Sequence, residues 1–171
     1  MMKVKILKID SKDLIDAQII NGKGFTLPSI QDGWRFNFPR HAKDKSAHTY
    51  VLIAEETPEN IEGCLIYKMR HELEPYMAYI EIAPHNKGDE KKYDWVAGCL
   101  IAFACRLSFA LGSGEYRGWL AFDVQEQNEK DQEKLMTLYS RKYKARKFSE
   151  TTMYILPEDG ETLIEKYLEA T

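Results

Sequence analysis

Residues 79–98 read YIEIAPHNKGDEKKYDWVAG, and LIAFACRLSFALG follows without a break. A lysine, a glycine and a run of polar residues thus stand between an apolar strand-like segment and a long apolar helix. The first backbone N–H groups of a helix have no intrahelical partner, and a loop that enters such a helix lies where they point. Those donors, with Lys87 beside them and Gly88 letting the backbone come close, suit a dianionic phosphate. A plain polar turn is the other reading, since short glycine motifs arise often by chance.

Other chemistries find less support. His41, His48 and His71 lie far apart with no carboxylate at a ligand spacing, so no metal site is expected. Cys64, Cys99 and Cys105 are odd in number, sit in apolar segments and lack a CxxC or Cys/His spacing, which describes reduced core residues. There is no G-x-S-x-G elbow for a nucleophilic serine. Gly112-Ser113-Gly114-Glu115 lacks the lysine and the serine or threonine of a P-loop. His85, at the start of the polar loop, is open to two readings: a phosphate ligand or base, or an exposed loop histidine.

The elements that would position these residues follow from hydrophobic spacing. Residues 3–9 alternate basic and apolar at period two, as in a half-buried strand. Residues 10–47 carry Gly22, Gly24, Pro28, Gly33 and Pro39, so the spacing predicts little regular structure there beyond a short helix over 12–20. The aromatic group 34–38 is expected to pin this segment to the body. Residues 50–55 and 61–69 read as a hairpin, and 77–83 as the third strand of a meander. A helix over 94–111 stopping at Gly112 leads to a strand over 119–124, which must then run parallel to 77–83. A charged helix over 129–144 with Leu135, Met136, Leu138 and Tyr139 on or near its buried face, a strand over 151–156 and a helix over 157–170 complete the chain. The expected architecture is a single domain over 1–171, a mixed α/β sheet of antiparallel strands followed by a parallel strand-helix-strand crossover.

With 171 residues, a formal charge of -3 and 30% charged residues, the chain has neither the basic footprint of a nucleic-acid binder nor an apolar run long enough to span a membrane. A cytoplasmic protein is expected. The oligomeric state is left open, a homodimer included, with exposed aromatics of 34–38 or the C-terminal helix as surfaces that could serve it.

Ile82-Ala83-Pro84-His85-Asn86-Lys87-Gly88 is similar to the V-x-P-x-x-R-G core of the GCN5-related N-acetyltransferases (GNATs), in which this turn grips the pyrophosphate of acetyl-CoA. The resemblance covers roughly residues 50–156 and includes the order of elements. Residues 89–94 extend the loop, and Trp95 stands where the family has glycine. The form H-N-K-G, a charged spacer, V-A-G and then A-C-x-L-S-F at 104–109 resembles a bacterial subgroup with an extended pyrophosphate loop. The resemblance implies a GNAT-like acyl-CoA N-acyltransferase fold and an acetyl-CoA cosubstrate. By it, Ile82 and Ala83 would contact pantetheine. Lys87, Gly88, Val96, Ala97 and Gly98 would cradle pyrophosphate, and Gln132 would stand near the cofactor.

It further implies acetyl transfer to an amine of a small molecule or peptide, by direct transfer in a ternary complex. An amine with a pKa of about 10.4 is protonated at pH 7, so a base is needed, and the departing thiolate needs an acid. Glu81, between Ile80 and Ile82, is the candidate base, its pKa raised by burial. It can equally be a surface carboxylate on the solvent face of the sheet. Tyr139, in a segment similar to the family's L-Y-x-x-x-G-F/A, is the candidate acid. It can equally be a core aromatic, and Tyr143 and Lys144 replace the glycine and its neighbour. A CoA-binding or protein-interaction module that has lost catalysis is the alternative on the same fold.

Overall fold

The computed structural model describes residues 1–169. Period-two alternation builds the sheet. Strand β1 (Met2–Lys8) buries Val4 and Ile6 between lysines, and β2 (Asp13–Asn21) pairs with it antiparallel, Ile6 facing Ile15 and Lys5 facing Asp16. The helix expected over 12–20 is therefore a strand. Its apolar residues fit both periods, but Ile15, Ala17 and Ile19 fall on one face only in a strand, and the β-branched isoleucines favour the pleated surface. After the single-turn helix α1 (Phe38–His41), strands β3 (His48–Ala54), β4 (Gly63–Arg70) and β5 (Glu74–Ile82) extend the sheet as the expected meander.

From β5 the chain passes the two-residue strand β6 (Tyr93–Asp94), which pairs with β1, and enters α2 (Val96–Leu111). Strand β7 (Leu120–Asp123), helix α3 (Glu129–Tyr143), strands β8 (Arg146–Lys147) and β9 (Thr152–Ile155), and helix α4 (Pro157–Tyr167) follow. The spatial order is β6-β1-β2-β3-β4-β5-β7-β9-β8, antiparallel except for β5–β7. The helix expected over 157–170 ends at Tyr167, and Ala170 lies outside the described residues.

One face of the sheet, with Ile6, Ile19, Leu65 and Met77, is covered by α2, α3 and α4. Helix α2 is apolar nearly all round because it lies between the sheet and α4: a Cβ at Gly98 would enter the ring of Tyr167. The opposite face, with Val51, Ile53, Cys64 and Ile66, is covered by Trp34 and Phe38 from the segment before β3. Both aromatics are buried, Phe38 completely, so they pin this segment and offer no exposed surface for an interface, contrary to the sequence expectation. Burying a side chain of that size contributes about 1.5–3 kcal/mol, enough to hold a segment without secondary structure of its own. Leu138, expected on or near the buried face, is half exposed; the inward stripe of α3 is Leu135, Met136, Tyr139 and Tyr143.

Candidate active site

The parallel pair is short, and that makes the cleft. Strands β5 and β7 pair only at Tyr76–Ala121 and Met77–Phe122. On its other side β5 carries a bulge: β4 advances from Ile66 to Tyr67 while β5 retreats from Tyr79 to Met77, so Ala78 has no partner. A bulge bends its strand, and β5 diverges from β7 at this point. A cavity of about 330 Å3 opens between them, lined by Ala78 and Ile80 on one side, Phe122 and Val124 on the other, and Tyr139 from α3. A second cavity of about 310 Å3 lies farther along β5, from Ile82 to the start of α2, with Tyr143 at its wall. Tyr139 and Tyr143 are one helical turn apart on α3, so the two cavities lie in succession along β5 and α3.

The second cavity gathers six of the eight residues the sequence assigned to the cofactor: Ile82, Lys87, Gly88, Val96, Ala97 and Gly98. Lys91 and Lys142 also line it. The first N–H to close the α-helical ladder is that of Cys99, which donates to the Trp95 carbonyl; those of Val96, Ala97 and Gly98 precede it and have no intrahelical acceptor. Gly88 has φ +79°, a left-handed turn that favours glycine. Trp95, where the family has glycine, takes φ 76° and packs edge-on against Tyr167 at 5.6 Å. Asp94 brings a negative charge to the same cavity. Burial pushes its carboxyl up, but the Trp95 N–H at 2.8 Å and the Lys91 ammonium at 3.1 Å outweigh this and hold it below the ordinary range.

Two residues that the sequence reading did not single out hold this loop. Asn86, buried, donates to Glu62 Oε1 at 2.9 Å and accepts from the Tyr93 N–H at 3.0 Å, tying the loop's first residues to its last. Glu62 is fully buried; its Oε1 also meets His85 Nε2 at 2.5 Å, and its backbone carbonyl accepts from Ala83. Glu62 Oε2 has no hydrogen-bond partner among the described residues. The available signal was one carboxylate in the otherwise apolar run 61–66.

Glu81 is on the face of β5 opposite Cys64 and is 7% exposed, so it is not the surface carboxylate of the alternative reading. It lines neither cavity. Its Oε2 accepts from the Arg35 N–H at 2.8 Å and the Lys87 ammonium at 2.7 Å; its Oε1 accepts from the N–H groups of Arg35 and Phe36, each at 3.0 Å. Arg35 then crosses to the far side of the cleft, its guanidinium on the Gln125 carbonyl at 2.7 Å and on Glu126 at 3.1 Å.

Tyr139 stands at the cleft between the rings of Phe122 and Tyr143, with centroids 5.0 and 6.0 Å away. Burial, the larger influence, pushes its phenol pKa up together with Glu126, against the opposing charge of Arg35. Gln132 spends its side chain inside the protein: Oε1 accepts from the Glu126 N–H at 2.8 Å, and Nε2 donates to the carbonyls of Val124 and Glu150. Ala83 lies away from both cavities, packed with Trp34, its N–H and carbonyl bonded to Glu62 and Asn86. Asp123 is the one carboxylate among the described residues lining the cleft, fixed by the hydroxyls of Tyr76 and Thr152, both at 2.7 Å.

Backbone donors, three lysines and a left-handed glycine fit a pyrophosphate, and the cleft next along β5 fits an extended arm. Among the described residues, no three His, Cys, Asp or Glu side chains gather to hold a metal ion, and no helix is long and apolar enough to cross a membrane.

The sheet with one splayed parallel pair, leading into a helix whose N-terminus faces the gap, is the fold of the GNAT acyl-CoA N-acyltransferases. A crystal structure of AtaTR bound with acetyl-CoA is similar over 86% of this chain and 98% of that one, with 14% identity and a TM-score of 0.58. The KacTA–DNA complex is similar over 88% and 99%, with 12% identity and a TM-score of 0.57. A chimera of spermidine N-acetyltransferase SpeG from Vibrio cholerae and hSSAT is similar over 73% and 77%, with 17% identity and a TM-score of 0.50. At these identities the likeness is one of fold. No protein-family model matches the chain, and no curated protein matches it in sequence.

Proposed function

We propose that this protein is an acetyl-CoA-dependent N-acetyltransferase, acting as a single domain in the cytoplasm, that transfers acetyl directly to an amine of a small molecule or peptide. The observation that carries the reading is the succession of two cavities along β5, one at the α2 N-terminus and one in the gap between β5 and β7 beside Tyr139. The pyrophosphate lies against the N–H groups of Val96, Ala97 and Gly98 with Lys87 and Lys142 at its flanks, and the pantetheine arm runs along β5 past Ile82 and Ile80. The thioester then sits beside Tyr139.

The neutral amine nitrogen attacks the thioester carbonyl carbon, the new C–N bond forms and the C–S bond breaks. The Tyr139 hydroxyl gives its proton to the departing sulfur, and the amine gives up one of its own. A half-buried phenol that stays protonated at neutral pH suits the first transfer. We assign the second proton to Asp123, the carboxylate that lines the cleft among the described residues, directly or through water. Glu81, which lines neither cavity, is assigned another role below.

Thermal melting with acetyl-CoA and CoA tests the site: ligand at 100 times its dissociation constant stabilises the fold by about 2.7 kcal/mol. Thiol release from acetyl-CoA across an amine panel then tests catalysis. No shift at millimolar ligand overturns the reading. A shift without thiol release selects a CoA-binding module without catalysis, which Asp94 in the phosphate cavity and Trp95 at its helix start favour.

A further inference from the structure

The buried Glu81 carboxylate, beside the cleft and held by four hydrogen bonds, has no task in the acyl transfer. It receives donors from two different places. Three hydrogen bonds come from the N–H groups of Arg35 and Phe36, whose side chains line the cleft. The fourth comes from Lys87, whose side chain is 46% exposed and lines the phosphate cavity. The segment bearing Arg35 has almost no regular structure, so the carboxylate, the packing of Trp34 and Phe38 and the Arg35 bridge to Gln125 and Glu126 fix its position. One ammonium therefore neutralises the charge that docks the wall of the cleft, and the residue that carries it lines the cavity a phosphate would enter.

We infer that Glu81 is a positioning residue that docks the 34–38 segment over the acceptor side of the cleft, and that Lys87 couples this docking to phosphate occupancy. The inference rests on the acyl-CoA reading of the second cavity. A phosphate group competes with Glu81 for the Lys87 ammonium. When Lys87 turns to the phosphate, a carboxylate that is 7% exposed keeps only its backbone donors. A buried charge that loses its ion-pair partner destabilises the arrangement built around it. The 34–38 segment is then held less tightly, and the cleft beneath Arg35 and Phe36 opens more readily to an acceptor. By linkage, a segment already undocked leaves Lys87 free for phosphate, so the coupling runs in both directions.

Amide hydrogen exchange of the full chain, resolved at Arg35 and Phe36, tests this with CoA as the probe. In the unliganded wild type both amides should be protected. Saturating CoA should speed their exchange by roughly tenfold or more, the scale set by weakening charge-assisted hydrogen bonds. Lys87→Met should give the fast exchange without ligand, and CoA should add nothing further. Lys87→Arg, which keeps the charge, should restore the CoA response. Glu81→Gln should give fast exchange at both amides with or without CoA. If CoA produces its thermal shift and wild-type exchange at Arg35 and Phe36 stays unchanged, the coupling is overturned while the acyl-CoA reading stands. If CoA gives no thermal shift, the acyl-CoA reading falls and the coupling with it. Docking by Glu81 is still decided by the unliganded Glu81→Gln protein: protection equal to wild type overturns it. Should that variant fail to fold, unliganded Lys87→Met decides, because Lys87 is half exposed and its loss leaves the core untouched.

Discussion

Tyr139 and the three cysteines show how burial selects which groups can react. The Tyr139 phenol is raised by burial and by Glu126 more than Arg35 lowers it, so it remains a proton donor throughout the neutral and mildly alkaline range. Replacing Tyr139 by Phe removes that proton and little volume. Turnover should fall about 10²–10⁴-fold while the thermal shift given by CoA is retained; unchanged turnover in an active preparation would remove Tyr139 from the mechanism. The cysteines go the other way. Burial pushes the Cys99 and Cys105 thiols up to about 12, and the Cys64 thiol is raised too, with burial the largest cause. The thiolate is the reactive form, so none of the three is a nucleophile at neutral pH. Labelling with a thiol-specific disulfide reagent should report no reactive cysteine in the folded protein and three after denaturation.

At the level of elements, Gly98 separates packing from chemistry. It lines the phosphate cavity, yet a Cβ there would also overlap the Tyr167 ring of α4. If packing dominates, Gly98→Ala should cost about 1–3 kcal/mol of stability, as overfilled cores do. Adding Tyr167→Leu should recover part of that loss, a non-additivity that urea melts of the two single variants and the double variant would measure. Part of this was legible in the sequence. The β5-loop-α2 unit was, because strong period-two and helical patterns flank a glycine-bearing loop. The role of Tyr167 against Gly98 was not, because it joins residues far apart in the chain. The same reason hides Glu62 and Asn86, which build the loop from inside through partners contributed by the β3–β4 connection and Tyr93. Strand β2 was misread as a helix because its apolar residues fit two periods, and only the neighbouring strands β1 and β3 decide between them. Strand β6 is two residues long and carries no period at all.

Taken whole, the molecule buries or half-buries eight of its ten tyrosines far enough to raise their phenols. Tyr50, Tyr67, Tyr76, Tyr93, Tyr139, Tyr143, Tyr154 and Tyr167 all have raised phenol pKa values, with burial the largest cause in each; Tyr93 is pushed up to about 12. They are spread over the sheet and its helical layer, from the cleft wall at Tyr76 and Tyr139 to the α2–α4 contact at Tyr167. Their effects therefore sum over the fold. In the unfolded chain a phenol titrates at about 10. Each of these groups keeps its proton to higher pH when folded, so above that value the native state binds more protons than the unfolded state. Stability then falls as pH rises, because its slope with pH follows the protons bound in the unfolded state minus those bound in the native state. The contribution is fully present below about pH 10 and is lost as pH climbs through the raised folded values. Urea midpoints should therefore decline from pH 9 to 11, and phenolate absorbance should appear together with loss of the far-ultraviolet circular dichroism signal. Full phenolate absorbance at pH 11 in a protein that retains its circular dichroism would mean that these rings reach solvent, and that the layers packed over the sheet are looser than their burial requires.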